Sequence, residues 1–200
     1  SLLFCHHLDV CPGERVLEIG AGAGLAAVLA ARAGAQVIAT DIRPESVECT
    51  RENAARNGVA DRVDVRLGDG FLPVAGLRFD LICTSPPQMP TPPERERDDA
   101  EAAADNGGFD GWALLDRVIR EAPAYLEPGG RLLFTLFGFL GIERARAKLR
   151  AAGLDPIVLA RETHPFPRIG YERLDHLRSV DTERTIPRDV LPRSVERYVV

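Results

Sequence analysis

Glu18, Gly20, Gly22, Gly24 and Asp41 stand in an order that suits one task, the grip of a nucleoside by a strand, a glycine turn and a second strand. Glycines at such a turn let the backbone come close to a ligand, because a Cβ would clash or forbid the φ angles required. An acidic residue at the end of the following strand accepts hydrogen bonds from a ribose diol. Dinucleotide folds space their glycines G-x-G-x-x-G and seat a pyrophosphate on the helix N-terminus. Here the spacing is G-x-G-x-G, Leu25 holds the place of the third dinucleotide glycine, and Glu18 precedes the turn. A carboxylate aimed into that turn repels a pyrophosphate and suits a ligand that carries an ammonium and a sulfonium. An alanine-glycine turn by itself also occurs in ordinary α/β proteins, but glycine spacing together with Asp41 favours the ligand.

A second constellation, Ser85-Pro86-Pro87-Gln88, follows the apolar run 79–84. Open α/β sheets bind their ligands at the C-terminal ends of strands. Two adjacent prolines fix φ twice, so the residue-85 side chain and the neighbouring carbonyls are held rigidly. Asp69, in Gly68-Asp69-Gly70-Phe71, ends a further strand, where the same tetrapeptide also suits an Asx turn. His164 and Tyr171 are candidates for a general base or for lid contacts, although a His beside Pro165 is commonly an ordinary loop residue. Cys5, His6, His7 and Cys11 lie close together but match no zinc spacing, and Cys49 and Cys83 add no C-x-x-C pair. Neither a metal site nor a disulfide framework is expected.

The elements that must position these residues follow from periodicity and punctuation. Residues 16–19 read as a strand, 25–33 as an alanine- and leucine-rich helix, and 36–40 as a second strand. Pro44 opens a helix over 45–57 that Gly58 stops. Val63, Val65 and Leu67 alternate as a third strand, and 79–84 form a fourth. Residues 85–111, rich in proline and then in charge, exceed ordinary connections, and such loops are functional lids or disordered. Beyond them the reading is a helix over 112–125, a turn at Pro128-Gly129-Gly130, a fifth strand over 131–137, and a helix over 141–152. A sixth strand is expected at 156–160 and a seventh at 196–200, with residues 161–195 inserted near the substrate site. The alternation predicts an α/β fold, a mainly parallel sheet with helices on both faces, in a single domain spanning 1–200.

Two hundred residues, 45% of them hydrophobic, suffice for the core of one domain. A net charge of −5 argues against a broad electrostatic grip on nucleic acid. No apolar run approaches the ~20 residues of a membrane span, and the first residues lack the features of a signal peptide. A cytoplasmic protein that acts on a small-molecule or peptide/protein substrate is expected, with nucleic acid disfavoured as a partner, a local basic groove aside, and no membrane partner.

The run Glu18 to Gly24 resembles the first motif of the class I S-adenosylmethionine-dependent methyltransferases, written E/D-x-G-x-G-x-G. That resemblance implies a Rossmann-like three-layer sandwich with a seven-stranded sheet, mainly parallel with an antiparallel last strand, and S-adenosyl-L-methionine as cofactor. It implies Glu18 near the amino-acid end of the cofactor, Asp41 on the ribose hydroxyls and Asp69 on the adenine amine. Gly20, Ala21, Gly22, Gly24, Ile42, Gly70, Phe71 and Ser85 would complete the cofactor site. Many such enzymes carry a substrate-recognising segment before this point, and one is expected to be missing or absent here.

The S-P-P-Q tetrapeptide is similar to the N/D/S-P-P-Y/F motif of amino-methyltransferases, which implies Ser85, Pro86, Pro87 and Gln88 as the catalytic set. There the polar first residue and a proline carbonyl accept hydrogen bonds from an amide or amine nitrogen and stabilise the positive charge that develops on transfer. Residues 106–115, Asn106-Gly-Gly-Phe-Asp-Gly-Trp112-Ala-Leu-Leu, resemble the stretch that follows this motif in release-factor glutamine methyltransferases. Ser85 departs from the asparagine of those enzymes, and Gln88 from the aromatic that stacks on a planar target. A serine still accepts one hydrogen bond, whereas a flat target loses its stacking platform. The expectation is methyl transfer to a nitrogen of a small molecule or a peptide/protein side chain, on an acceptor smaller than or shaped differently from the release-factor glutamine, with Gln88 governing its choice. Oxygen or carbon methylation, aminocarboxypropyl transfer, ring closure, an RNA or DNA amine acceptor, and a non-catalytic cofactor-binding scaffold are the alternatives. The scaffold is disfavoured, since a dead site has no physical need of the glycines and all three carboxylates.

Overall fold

The computed structural model of the chain describes residues 2–97 and 100–200. The part of the expected lid at 98–99 lies outside the described residues. Seven strands form one sheet in the order β3-β2-β1-β4-β5-β7-β6. The chain falls into two compact units, Ser1–Ser85 with Glu121–Phe134, and Pro86–Arg120 with Thr135–Val200.

The first unit holds α1 (Leu2–His6), β1 (Arg15–Ile19), α2 (Leu25–Arg32), β2 (Gln36–Asp41), α3 (Pro44–Arg56), β3 (Val63–Leu67), β4 (Phe79–Thr84) and most of β5 (Leu126–Phe137). Its strands are all parallel, with Val16 level with Val37 on one side and Leu81 on the other. Parallel strands covered on both faces read as unbroken apolar runs, and Val16, Leu17 and Ile19 are buried accordingly. Small residues on α2, among them Ala26, Ala27, Ala30 and Ala31, are buried too. α3 starts with Pro44 in its first turn, where the missing N–H costs nothing.

Gly24 sets the distance between α2 and α3. It precedes α2 with φ +72°, and a Cβ built on it would lie 2.5 Å from Cγ2 of Thr50. Gly24→Ala should therefore lose about 2 kcal/mol or more of stability, combining a left-handed φ with a clash. Denaturant unfolding checks this, and a wild-type midpoint would show that the two helices can part without cost.

The second unit holds α4 (Ala100–Asp105), the start of α5 (Ala113–Tyr125), the last residues of β5, α6 (Ile142–Ala151), β6 (Ala160–Pro165), α7 (Arg168–Glu172), α8 (Leu174–Val180) and β7 (Ser194–Val199). β7 runs antiparallel to β5, with Thr135 opposite Val199, and antiparallel to β6, with His164 opposite Val195. The antiparallel last strand is as expected. Trp112 is fully buried, donates its indole N–H to the Leu140 carbonyl at 3.3 Å, and has the side chains of Arg144 and Lys148 over its ring. Asp110 and Asp116 pair with those two cations.

Three elements differ from their sequence reading. The sixth strand lies at Ala160–Pro165 rather than 156–160. Its polar residues suit an edge strand, which natural sheets protect with charge, and the apolar run before it drew the reading too early. β5 starts at Leu126 and passes through Pro128-Gly129-Gly130, with a register shift between Phe79 and Leu81 absorbing the irregularity. Residues 85–111 contain structure of their own, a 3-10 turn at Pro93–Arg95, α4, and a bridge between Met89 and Asn106.

Candidate functional site

In the first unit, Ile19 on β1 is level with Thr40 on β2 and Thr84 on β4, and Asp41 is level with Leu67 on β3. Gly20, Asp41, Gly68-Asp69 and Ser85 thus leave the C-terminal ends of four neighbouring parallel strands together. Strand order reverses between β1 and β4, and such a switch point opens a crevice for ligands. Gly20 and Ser85 flank it. Thr84 ties the two strand ends together, its hydroxyl donating to the Ile19 carbonyl at 2.9 Å.

The glycine turn is fastened on every side. The N–H groups of Gly20 and Ala21 both donate to the Thr40 carbonyl, at 2.8 and 3.1 Å. Gly22 N–H donates to Oδ2 of Asp41 at 2.9 Å, while Oδ1 accepts from Arg43 N–H at 3.0 Å. From α3, Thr50 donates to the Gly22 carbonyl at 3.1 Å and Asn53 to the Ala23 carbonyl at 2.8 Å. Thr50 and Asn53 do not stand out in the sequence; their signal there is two polar side chains one turn apart on the helix that follows Asp41. Gly20 and Gly22 have φ of +70° and +59°, and a Cβ built on either meets nothing within 4 Å. Their left-handed backbone explains the glycines, and the open space beside them leaves room for a ligand.

Around this turn, Ile42 is 64% exposed beside an Asp41 that is 8% exposed. An isoleucine left in water next to a nearly buried carboxylate offers an apolar face for a flat ring. Thr40 donates to the Gly70 carbonyl at 3.1 Å, and the Asp69 carbonyl accepts from Leu72 N–H at 3.1 Å. Phe71 stacks on Tyr125 with ring centroids 4.4 Å apart and is buried, so this stretch presents backbone and the Asp69 side of the turn rather than its aromatic ring.

Glu18 is 7% exposed and accepts a 2.8 Å hydrogen bond from Ala27 N–H in the first turn of α2. Burial pushes its carboxyl up to about 8, the N–H groups of Ala27 and Ala26 pull it down, and the charge of Asp41 adds to the rise. The native state therefore keeps a proton that an ordinary glutamate, at 4.5, has lost. Where the folded state binds more protons than the unfolded one, stability falls as pH rises. The window runs from about 4.5 to about 8, and the loss across it is on the order of a few kcal/mol. Glu18→Gln should flatten this slope and leave the variant more stable than wild type above the window. Equal slopes for the two proteins in denaturation across that range would show that Glu18 is not the titrating group.

Ser85 is exposed at the end of β4. In the second unit, Pro86 is buried and Gln88 is 3% exposed. The Gln88 amide is bonded at both ends: Nε2 donates to the Thr135 carbonyl at 2.8 Å, and Oε1 accepts from Phe137 N–H at 2.9 Å. His164 lies on β6 with Nε2 3.1 Å from the Glu162 carboxylate. Tyr171 donates its hydroxyl to the Pro192 carbonyl at 2.6 Å. Among the described residues, no group of three His, Cys, Asp or Glu side chains is arranged to hold a metal, and no helix is long and apolar enough to cross a membrane.

A family model described as a methyltransferase domain matches residues 11–157. The chain is 34% identical over 170 residues to the provisionally named protein N5-glutamine methyltransferase of Methanocaldococcus jannaschii, covering 84% of this chain and 85% of that one. It is 41% identical over 152 residues to the release factor glutamine methyltransferase of Cereibacter sphaeroides, covering 72% of this chain and 53% of that one. The chain thus spans about half the length of that bacterial relative. Among solved structures, the YcgJ protein of Bacillus subtilis shares the fold at a TM-score of 0.64 and 19% identity, with 98% of this chain and 94% of that one covered.

Proposed function

The chain belongs to the methyltransferase domain family, and from that premise we propose that it uses S-adenosylmethionine to methylate the side-chain amide nitrogen of a glutamine in a protein. The observation that carries the acceptor is the similarity to a protein N5-glutamine methyltransferase along 85% of that relative's length. Ser85 and Gln88 taken alone point to an acceptor smaller than or shaped differently from the release-factor glutamine. A serine hydroxyl followed by proline carbonyls still supplies the acceptors that an amide N–H needs. Acceptors from the translation machinery would place the enzyme in the cytoplasm.

The first unit fits the cofactor. Asp41 would take the ribose hydroxyls on the lone pairs left beside its two backbone bonds, Ile42 one face of the adenine, and Asp69 the adenine amine. Gly20, Ala21, Gly22 and Gly24 bring backbone alongside, and Glu18 would meet the ammonium. When bound, S-adenosylmethionine supplies a methyl group on a positively charged sulfur. The chain's own contribution is alignment, which accounts for much of the rate in such transfers. The Ser85 hydroxyl and the proline carbonyls after it would hold the amide N–H groups, drawing the nitrogen lone pair out of conjugation and stabilising the charge that grows on it.

Two measurements test this. S-adenosylmethionine labelled separately in its methyl and aminocarboxypropyl groups is incubated with the protein and either a release factor or ribosomal protein uL3, the proteins after which two similar bacterial glutamine methyltransferases are named, and the product is mapped by mass spectrometry. Methyl label on a glutamine is the expected result; aminocarboxypropyl label, or transfer to oxygen or carbon, overturns the assignment. Calorimetry with S-adenosylhomocysteine near neutral pH should show proton release, because an ammonium beside Glu18 lowers a carboxyl otherwise near 8. Heat that does not vary with the buffer's ionisation enthalpy would move the ammonium away from Glu18.

A further inference from the structure

We propose that Gln88 is a positioning residue that braces the acceptor loop from behind, and that Gly107 and Gly111 complete the brace; this rests on the methyl-transfer reading above. The observations all lie within the second unit. The side chain of Gln88 crosses to the end of β5, where Nε2 donates to the Thr135 carbonyl at 2.8 Å and reaches Thr135 Oγ1 at 3.3 Å, and Oε1 takes the Phe137 N–H at 2.9 Å. The same Nε2 lies 3.4 Å from the Pro86 carbonyl. One amide thus links a proline carbonyl of the loop to the strand.

The main chain of residue 88 is clasped as closely. A Cβ on Gly107 would sit 2.8 Å from the Gln88 carbonyl carbon and Cα, and one on Gly111 would sit 2.6 Å from the Gln88 oxygen. Real Cβ contacts do not come this near backbone, so both positions require glycine. Around the clasp, Met89 N–H donates to the Asp105 carbonyl, Gly107 N–H to the Met89 carbonyl and Thr91 N–H to the Gly108 carbonyl, each at 2.9 Å. A buried amide with every bond made rigidifies its surroundings, and removing one partner leaves the other unsatisfied. Replacing the aromatic of the related motif by Gln88 therefore changes how the proline pair is held, and leaves acceptor choice to other residues.

The test compares wild type, Gln88→Glu, Gln88→Leu and Gly111→Ala. Gln88→Glu nearly keeps the shape while turning the donor toward Thr135 into a second acceptor; Gln88→Leu removes both functions. Expected are a kcat lowered about tenfold or more with release factor as acceptor, unchanged acceptor KM and S-adenosylhomocysteine affinity, and faster hydrogen exchange at the amides of Met89, Thr91 and Gly107. Denaturation curves ensure that only folded protein is compared. A variant that keeps kcat and its slow exchange overturns the inference, and so does one that changes KM or the preference between release factor and uL3, since Gln88 would then face the acceptor. If wild type methylates neither protein, the functional reading fails, while the brace is still decided by the exchange rates of the three amides.

Discussion

Ser85→Ala should lower single-turnover methyl transfer by about ten- to a thousandfold while leaving S-adenosylhomocysteine affinity nearly unchanged, the range expected for losing one preorganised polar contact. The separation of the two effects follows from the fold. Backbone around residue 85 is held by Thr84, whose hydroxyl bonds Ile19, and by the two prolines that follow, so removing one oxygen leaves the strand end in place. The glycine turn and Asp41 are fastened by other residues altogether. Transfer at the wild-type rate would remove the main residue of the proposed alignment. Oxygen or carbon alkylation assisted by His164 or Tyr171 would then be the reading to test.

Asp41→Ala should weaken S-adenosylhomocysteine binding by ~1.5 to 3 kcal/mol, the worth of charge-assisted hydrogen bonds from two ribose hydroxyls. It should also lower stability by about 1 to 2 kcal/mol, because the N–H groups of Gly22 and Arg43 lose their acceptor. Asp41→Asn keeps one oxygen acceptor and should fall between wild type and alanine in both. Calorimetry and denaturation on the same three proteins separate the effects. Unchanged affinity in Asp41→Ala would place the ribose elsewhere, and unchanged stability would mean that water replaces the carboxylate at the turn.

What was legible in the amino-acid order was what local chemistry determines. Alternating glycines, a proline in a first helical turn and apolar runs that end in carboxylates placed β1 to β4 and the turn before α2 closely. Legibility failed where the deciding partner is far away in the chain. Thr50 and Asn53 look like ordinary polar positions on α3 until their bonds to the Gly22 and Ala23 carbonyls are seen. Gln88 reads by its place in a tetrapeptide as a residue for the acceptor, and its bonds to Thr135 and Phe137, nearly fifty residues on, appear only in the fold. β6 was hidden for a related reason: an edge strand needs few apolar residues, so its pattern is fainter than that of the coil before it.

The position of β7 between β5 and β6 bears on how the chain acquires its fold. β6 is made before β7, yet β7 is its strand partner and stands between it and β5. Pairing Thr135 with Val199 closes a long loop, and such distant contacts form slowly because chain entropy must be lost before they add stability. During synthesis, β6 should wait unpaired until residues 194–199 have left the ribosome. Its charged and polar side chains, Arg161, Glu162, Thr163 and His164, would then serve the nascent chain, keeping a waiting strand from pairing with its copy on a neighbouring polysome chain.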